Sequence, residues 1–163
     1  MTGINKIKHW RETFGLPNRT TPQTTTEEES SLALKLIREE TTELAVALYD
    51  YADKFSNNPL EKFYKPNLVE IADAIGDLYF VVTQAAMIHG LDPEMLIDRV
   101  YTSNMSKGTY SKKEAEESIE TYKQKGIETY YTENNGFYIL KRSSDNKVLK
   151  MNSFVEPDWE FLK

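Results

Sequence analysis

Apolar and polar positions alternate along this chain with two different periods. Ile4, Ile7, Trp10 and Phe14 recur at helical spacing and predict a short N-terminal helix that stops at Gly15-Leu16-Pro17. Residues 17–26 are a proline- and threonine-rich connector. Thr26-x-x-Glu29 has the form of a capping box, and Glu27, Glu28 and Glu29 suit the positive end of the helix that follows. That helix is expected from about Glu27 to Phe55, with Ser56 to Pro59 as its break. A loop leads to Pro66-Asn67, and a second long helix is expected over Leu68 to Ile88, ended by Gly90. Asp92-Pro93-Glu94 supplies an N-cap and a first-turn proline for a third helix, Pro93 to Ser106, closed by Gly108. Ser111-x-x-Glu114 caps a fourth, very polar helix that Gly126 ends. Beyond it, Thr129–Tyr131, Gly136–Leu140 and Val148–Met151 read as strands, separated by turns at Glu133–Asn135 and Ser143–Asn146. The expected fold is therefore all-α, a bundle of four to five helices with a small C-terminal β-ribbon. Residues 1–126 form the helical domain, and 127–163 form a ribbon too small to stand alone and packed on it.

The long helices carry an unusual distribution of acids. Between Leu68 and Ile88 the only charged residues are Glu70, Asp73 and Asp77, and their spacing places them within an arc of roughly 60°. Their neighbours Ile71, Ala72, Ala74, Ile75, Leu78 and Tyr79 are apolar or small, so the pattern predicts a narrow acidic seam on an otherwise buried rod. On the first long helix Ser31, Lys35, Arg38 and Thr42 form a wet face. Glu39, Glu40 and Glu43 lie off it, in the arc of Leu32, Leu36 and Ala47. Two seams of this kind can face each other. Like charges 5 Å apart repel by about 3 kcal/mol at an effective dielectric of 20, so six converging carboxylates call for a cation. Hard divalent ions take oxygen ligands, and helical bundles build such sites from facing helices. The bland alternative makes Glu39, Glu40 and Glu43 solvated surface and Glu70 the partner of an Asn67 cap. It explains Asp73 and Asp77 poorly, because aspartate is a mediocre helix former in mid-helix.

Composition narrows the function. The 163 residues contain no cysteine and only two histidines, which removes disulfides, thiolate nucleophiles and histidine-rich metal sites. A net charge of −6 without a basic stripe argues against stable nucleic-acid binding. No run of 18 apolar residues and no signal-peptide core occur, so a soluble, cytoplasmic protein without a membrane partner is expected. No GxxxxGK[ST] loop is present. Several other residues have structural readings. Trp10 and Phe14 are expected in the core rather than stacked on a base. His89 suits a helix C-terminus, and Arg142, Lys147 and Lys150 suit solvated ribbon edges. Lys112, Lys113, Glu114, Glu116 and Glu117 are expected to form an ordinary wet helix face.

Glu40-x-x-Glu43 followed, after 26 residues, by Glu70-x-x-Asp73 resembles the ExxE…ExxD signature of the all-α nucleoside triphosphate pyrophosphohydrolases. That superfamily includes the MazG proteins, phosphoribosyl-ATP pyrophosphohydrolase and the dimeric dUTPases. Glu70-Ile-Ala-Asp-Ala-Ile-Gly-Asp-Leu-Tyr-Phe-Val-Val is similar to their second metal helix, and Ser103-Asn104-Met105-Ser106-Lys107 resembles their SNMSK element. Phe14-Gly-Leu-Pro and Lys147-Val-Leu-Lys also resemble smaller bacterial and phage members. The resemblance implies a Mg²⁺-dependent enzyme, with Mn²⁺ as the alternative ion, that cuts a nucleoside triphosphate to the monophosphate and pyrophosphate. A dNTP in nucleotide-pool control is the substrate class expected first. A dUTPase/dUDPase or a phosphoribosyl-ATP pyrophosphohydrolase is the alternative, and a non-catalytic helical oligomer with a structural cation site is the rival of another class. By position Glu40, Glu43, Glu70 and Asp73 would ligate metal, and Asp77 would ligate it or support the ligands. Glu39 would ligate a second ion or orient water, and Asn104 and Lys107 would meet the phosphates, Lys107 also aiding catalysis. The resemblance also implies a homodimer or homotetramer.

Overall fold

A computed structural model describes residues 1–48 and 67–162. The chain divides into two compact units, Met1–Glu94 and Met95–Lys163. The boundary expected at residue 126 falls inside the second of these.

In the first unit, helix α1 (Gly3–Thr13) is capped by Thr2, whose hydroxyl accepts the Asn5 N–H, and it buries Ile7 and Arg11. Helix α2 (Glu27–Leu48) opens on the expected capping box. The Glu29 N–H donates to Thr26 Oγ1, and the Thr26 N–H donates to the Glu29 carboxylate, both at 3.2 Å. The continuation expected to Phe55 and the break at Ser56–Pro59 lie outside the described residues. Helix α3 (Leu68–Ile88) is capped by Asn67 Oδ1, which accepts the Val69 N–H at 3.0 Å. It ends at His89, followed by Gly90 at φ +68°. A Cβ on Gly90 would lie 2.0 Å from the Thr21 carbonyl oxygen, so only glycine lets the connector cross here.

Helices α2 and α3 pack antiparallel. Arg19 reaches Glu29 near the start of α2 and the Ile88 carbonyl at the end of α3. Further along, Glu40 senses Asp77 and Asp73, and Glu43 shares a recess with Glu70. As α2 residue numbers rise, their α3 neighbours fall. Helix α3 is long and apolar enough by composition to cross a bilayer, with a mean hydropathy of 1.4 in its most apolar 18 residues. Its contacts are those of a bundle helix. Trp10 sets its ring edge-on to Phe80 at 5.1 Å, and Arg11 donates to Gln84. The expectation of a buried rod is corrected, however. Only Ala74, Thr83 and Met87 are buried, while Ile75, Tyr79 and Val82 stand about half exposed, because within one chain α1 and α2 cover only part of the girth of α3.

The second unit contains α4 (Pro93–Met105) from Met95 onward, β1 (Gly108–Thr109), α5 (Lys112–Gln124), β2 (Thr129–Asn134), β3 (Phe137–Arg142) and a closing 3-10 turn, Glu160–Leu162. The sheet is antiparallel in the order β1-β3-β2. Asn134 pairs with Phe137, so the hairpin loop is Asn135-Gly136, both with positive φ. A two-residue turn of this kind matches strand twist, and it shortens the turn expected at Glu133–Asn135. The third strand is also corrected. Gly108–Thr109 pairs with β3, whereas Val148 makes one isolated bridge to Lys141. Gly108 does end the helical run, and its missing side chain makes the pairing possible. A Cβ there would lie 2.3 Å from the Phe137 ring. The ribbon leans on α5 around Ala115 and Leu140, both fully buried, and Met151. Burying a leucine contributes about 1.5–3 kcal/mol, so Leu140 is the main anchor of the sheet.

Candidate metal centre on the paired long helices

Glu40 and Glu43 lie one turn apart on α2, and Glu70, Asp73 and Asp77 lie at matching intervals on α3. Antiparallel packing brings the two series alongside each other. Glu40 is the most sheltered of them, half-buried where the others are exposed. Its carboxyl is held above the usual range, first by burial and then by the charges of Glu43, Asp77, Glu39 and Asp73. Glu43, Glu70 and Asp73 border a recess of about 290 Å³ whose wall includes Val46, Ala47 and Ala74. The two seams therefore do face each other.

They do not close. Among the described residues no three carboxylates or histidines stand close enough together to hold an ion as they are. The expectation that six acids converge is corrected accordingly. Glu39 opens onto another groove, of about 660 Å³, with Ser31, Lys35 and Arg38, and its carboxylate lies 3.8 Å from Lys35 Nζ. Glu43 borders both hollows. The wet face and the acidic face of α2 meet here rather than standing apart. The donors nevertheless suit a hard divalent ion. They are all carboxylate oxygens, they come from two facing helices, and the mutual repulsion that raises Glu40 is what a cation relieves.

Asn104 and Lys107 belong to the second unit, at the end of α4. Lys107 Nζ donates to Asn104 Oδ1, so the two form one polar group. Ser103 and Ser106 do not share it. Their hydroxyls engage the backbone of Val155 in the C-terminal segment.

Among the remaining residues, His89 caps α3 through its N–H to the Ala86 carbonyl. Trp10 packs on Phe80, but Phe14 is 64% exposed and stacks on Trp10 from outside, which corrects its place in the core. Arg142 is paired with Asp145, and Lys150 with Glu156. Lys112 and Lys113 pair with Glu116 and Glu117 on the wet face of α5. Glu114 leaves that face. It accepts from Thr109 Oγ1 and from the Ser153 N–H and hydroxyl, which hold its carboxyl below the usual range.

Sequence reasoning passed over Arg11. Its guanidinium is buried and donates to Asn18 Oδ1, the Pro17 carbonyl and Gln84 Oε1, tying the connector to α3. Burial and nearby Arg19 lower its pKa, and Glu29 offsets them. The available signal was position: Arg11 follows Ile7 by four on the buried face of α1, and Gln84 prolongs the acidic stripe of α3.

The family model for phosphoribosyl-ATP pyrophosphohydrolase matches residues 7–104. Over 101 residues the chain is also 32% identical to "Uncharacterized protein L479" of Acanthamoeba polyphaga mimivirus. That alignment takes in 56% of this chain and 40% of the viral protein, so the chain spans about two fifths of that relative's length.

Proposed function

The chain belongs to the phosphoribosyl-ATP pyrophosphohydrolase family, and we propose that it is a Mg²⁺-dependent nucleotide pyrophosphohydrolase acting on a nucleoside triphosphate, a dNTP first. The supporting observation is the crowding of Glu40 by Glu43, Asp73 and Asp77 across α2 and α3, inside the segment the family model matches. Glu40, Glu43, Glu70 and Asp73 would hold the ion, with Asp77 as a further ligand or a support behind them. The chemistry such an ion supplies is neutralisation of phosphate charge and activation of water. Glu39 would ligate a second ion or orient the attacking water, and Asn104 and Lys107 would bind phosphate oxygens. Lys107 carries the point charge that favours departure of pyrophosphate.

A second copy of the chain would cover the apolar girth of α3, where Leu68 and Val69 stand nearly four-fifths exposed and Ile75, Tyr79 and Val82 about half. A homodimer or homotetramer follows, checked by light scattering on the eluting protein. The absence of cysteine fits a cytoplasmic enzyme of nucleotide metabolism.

The deciding experiment is a panel of NTPs and dNTPs, with dUDP and phosphoribosyl-ATP added, scored for pyrophosphate or phosphate release with Mg²⁺, with Mn²⁺ and with excess chelator. Metal-dependent release of pyrophosphate from a triphosphate is expected. Undiminished turnover in chelator removes the metal, and silence across the panel removes the enzyme.

A further inference from the structure

We propose that the C-terminal strap, residues 152–158, is a positioning device for Asn104 and Lys107, with Ser103 and Ser106 as its clamps. The inference rests on the phosphate-binding role proposed above for those two residues. It assigns work to a part of the chain beyond residue 104, where the family match ends.

At the end of α4, as at any helix end, the last carbonyls lack intrahelical partners and the final turn tends to fray. Lys107 lies just past that end, in a turn, and its N–H bonds to the Asn104 carbonyl at 3.2 Å. Left to itself, such a lysine would sample many directions at a cost in binding. Two sets of contacts remove that freedom. Downstream, Gly108 pairs with Ile139 and Thr109 with Tyr138, so the chain enters a sheet one residue after Lys107. Upstream, Ser103 Oγ donates to the Val155 carbonyl at 2.8 Å, and the Val155 N–H donates to Ser106 Oγ at 3.0 Å. Ser106 Oγ in turn donates to the Ser103 carbonyl at 2.7 Å, one of the unpaired carbonyls of the helix end.

Val155 therefore spends both backbone groups on the two serines that flank Asn104. Its own side chain is 63% exposed and contributes little to a core, so the clamp is a backbone device. The strap is anchored on either side of it. Ser153 is held by Glu114 of α5, and Asp158 forms an ion pair with Arg99 of α4 at 2.8 Å. Ser103 is buried, while Asn104 is exposed and Lys107 half-buried. The clamping hydroxyls thus face the protein and the phosphate-binding pair remains accessible. In this arrangement the serines touch no substrate. They are positioning residues that act through Asn104 and Lys107.

A double-mutant cycle tests this in the full-length protein. Ser103→Ala/Ser106→Ala should lower kcat/KM for pyrophosphate release about three- to tenfold in the wild-type background. In the Lys107→Ala background the same change should cost clearly less, about twofold, because only Asn104 is left to be positioned. Ser106→Ala alone, which removes one clamp and keeps buried Ser103, guards against simple unfolding. Amide exchange on that variant supplies a readout independent of turnover, with faster exchange expected at Val155, Lys107 and Gly108. Equal losses in both backgrounds, full activity without the serines, or unchanged exchange at Lys107 and Gly108 once Val155 is freed would each overturn the proposal while leaving the enzyme reading intact. An inactive wild type, or wild-type rates in Lys107→Ala, would overturn the phosphate-binding role and this inference with it.

Discussion

Glu40 in the first unit and Glu114 in the second are both glutamates on helices, and their surroundings drive them in opposite directions. Glu114 accepts from Thr109 and twice from Ser153, and its carboxyl is held low. Glu40 is partly buried among Glu43, Asp77, Glu39 and Asp73, and its carboxyl is held high. A carboxylate whose lone pairs are met by protein donors belongs to the architecture. One surrounded by other carboxylates is left with uncompensated like charge, which the Mg²⁺ proposed above would relieve. The contrast separates a carboxylate tied into its own unit by donors from one crowded by like charge across a pair of helices.

The largest effect should come from the receiving side. Asp73→Asn is expected to lower metal-dependent pyrophosphate release roughly a hundredfold or more, with helical circular dichroism unchanged. Near-wild-type turnover would make the acidic face structural and erase the contrast.

On the holding side, Leu140→Ala should cost about 2–5 kcal/mol of stability, since Leu140 is fully buried against Ala115 and Met151. Glu114→Ala should cost about 1–3 kcal/mol by leaving Thr109 and Ser153 without their acceptor. Both are read from denaturant melts. If Glu114→Ala melts like wild type, Glu114 is no more structural than Glu40.

The smallest effect is a difference of sign with pH in chelator-treated protein. Glu40, raised above 4.5 in the fold, opposes folding once ionised, so its contribution improves as pH falls through the raised value toward 4.5. Glu114, lowered from 4.5, stabilises above that value and its contribution is lost as pH falls through the lowered one. Asp145, lowered to about 2 by Arg142, behaves as Glu114 does, between 3.8 and about 2. Glu40→Gln should therefore raise the melting temperature slightly at neutral pH and flatten the gain on mild acidification. Identical pH profiles for this variant and wild type would return Glu40 to solvent.

Local chemistry made much of this legible from residues alone. A threonine three before a glutamate capped α2, Asn67 capped α3 and Ser111 capped α5, because capping depends only on neighbours in the chain. Three acids on each of two long helices, at intervals of three and four, were bound to line one side of each helix. What lies across from that side was not local. Antiparallel packing set Glu40 against Asp77 and Glu43 against Glu70, and left the carboxylates of the described residues short of a closed ligand set. The third strand was misplaced for the same reason. Gly108-Thr109 has no strand pattern of its own and becomes one only because β3 offers an edge and Gly108 clears Phe137. Arg11 and the serines of the strap likewise depend on partners distant in sequence, Gln84 for the one and Val155 for the other. Helix limits, caps and the faces bearing charge follow from interactions a few residues long. Which faces meet, and which carboxylates find donors there, follows from long-range packing that a linear pattern does not encode.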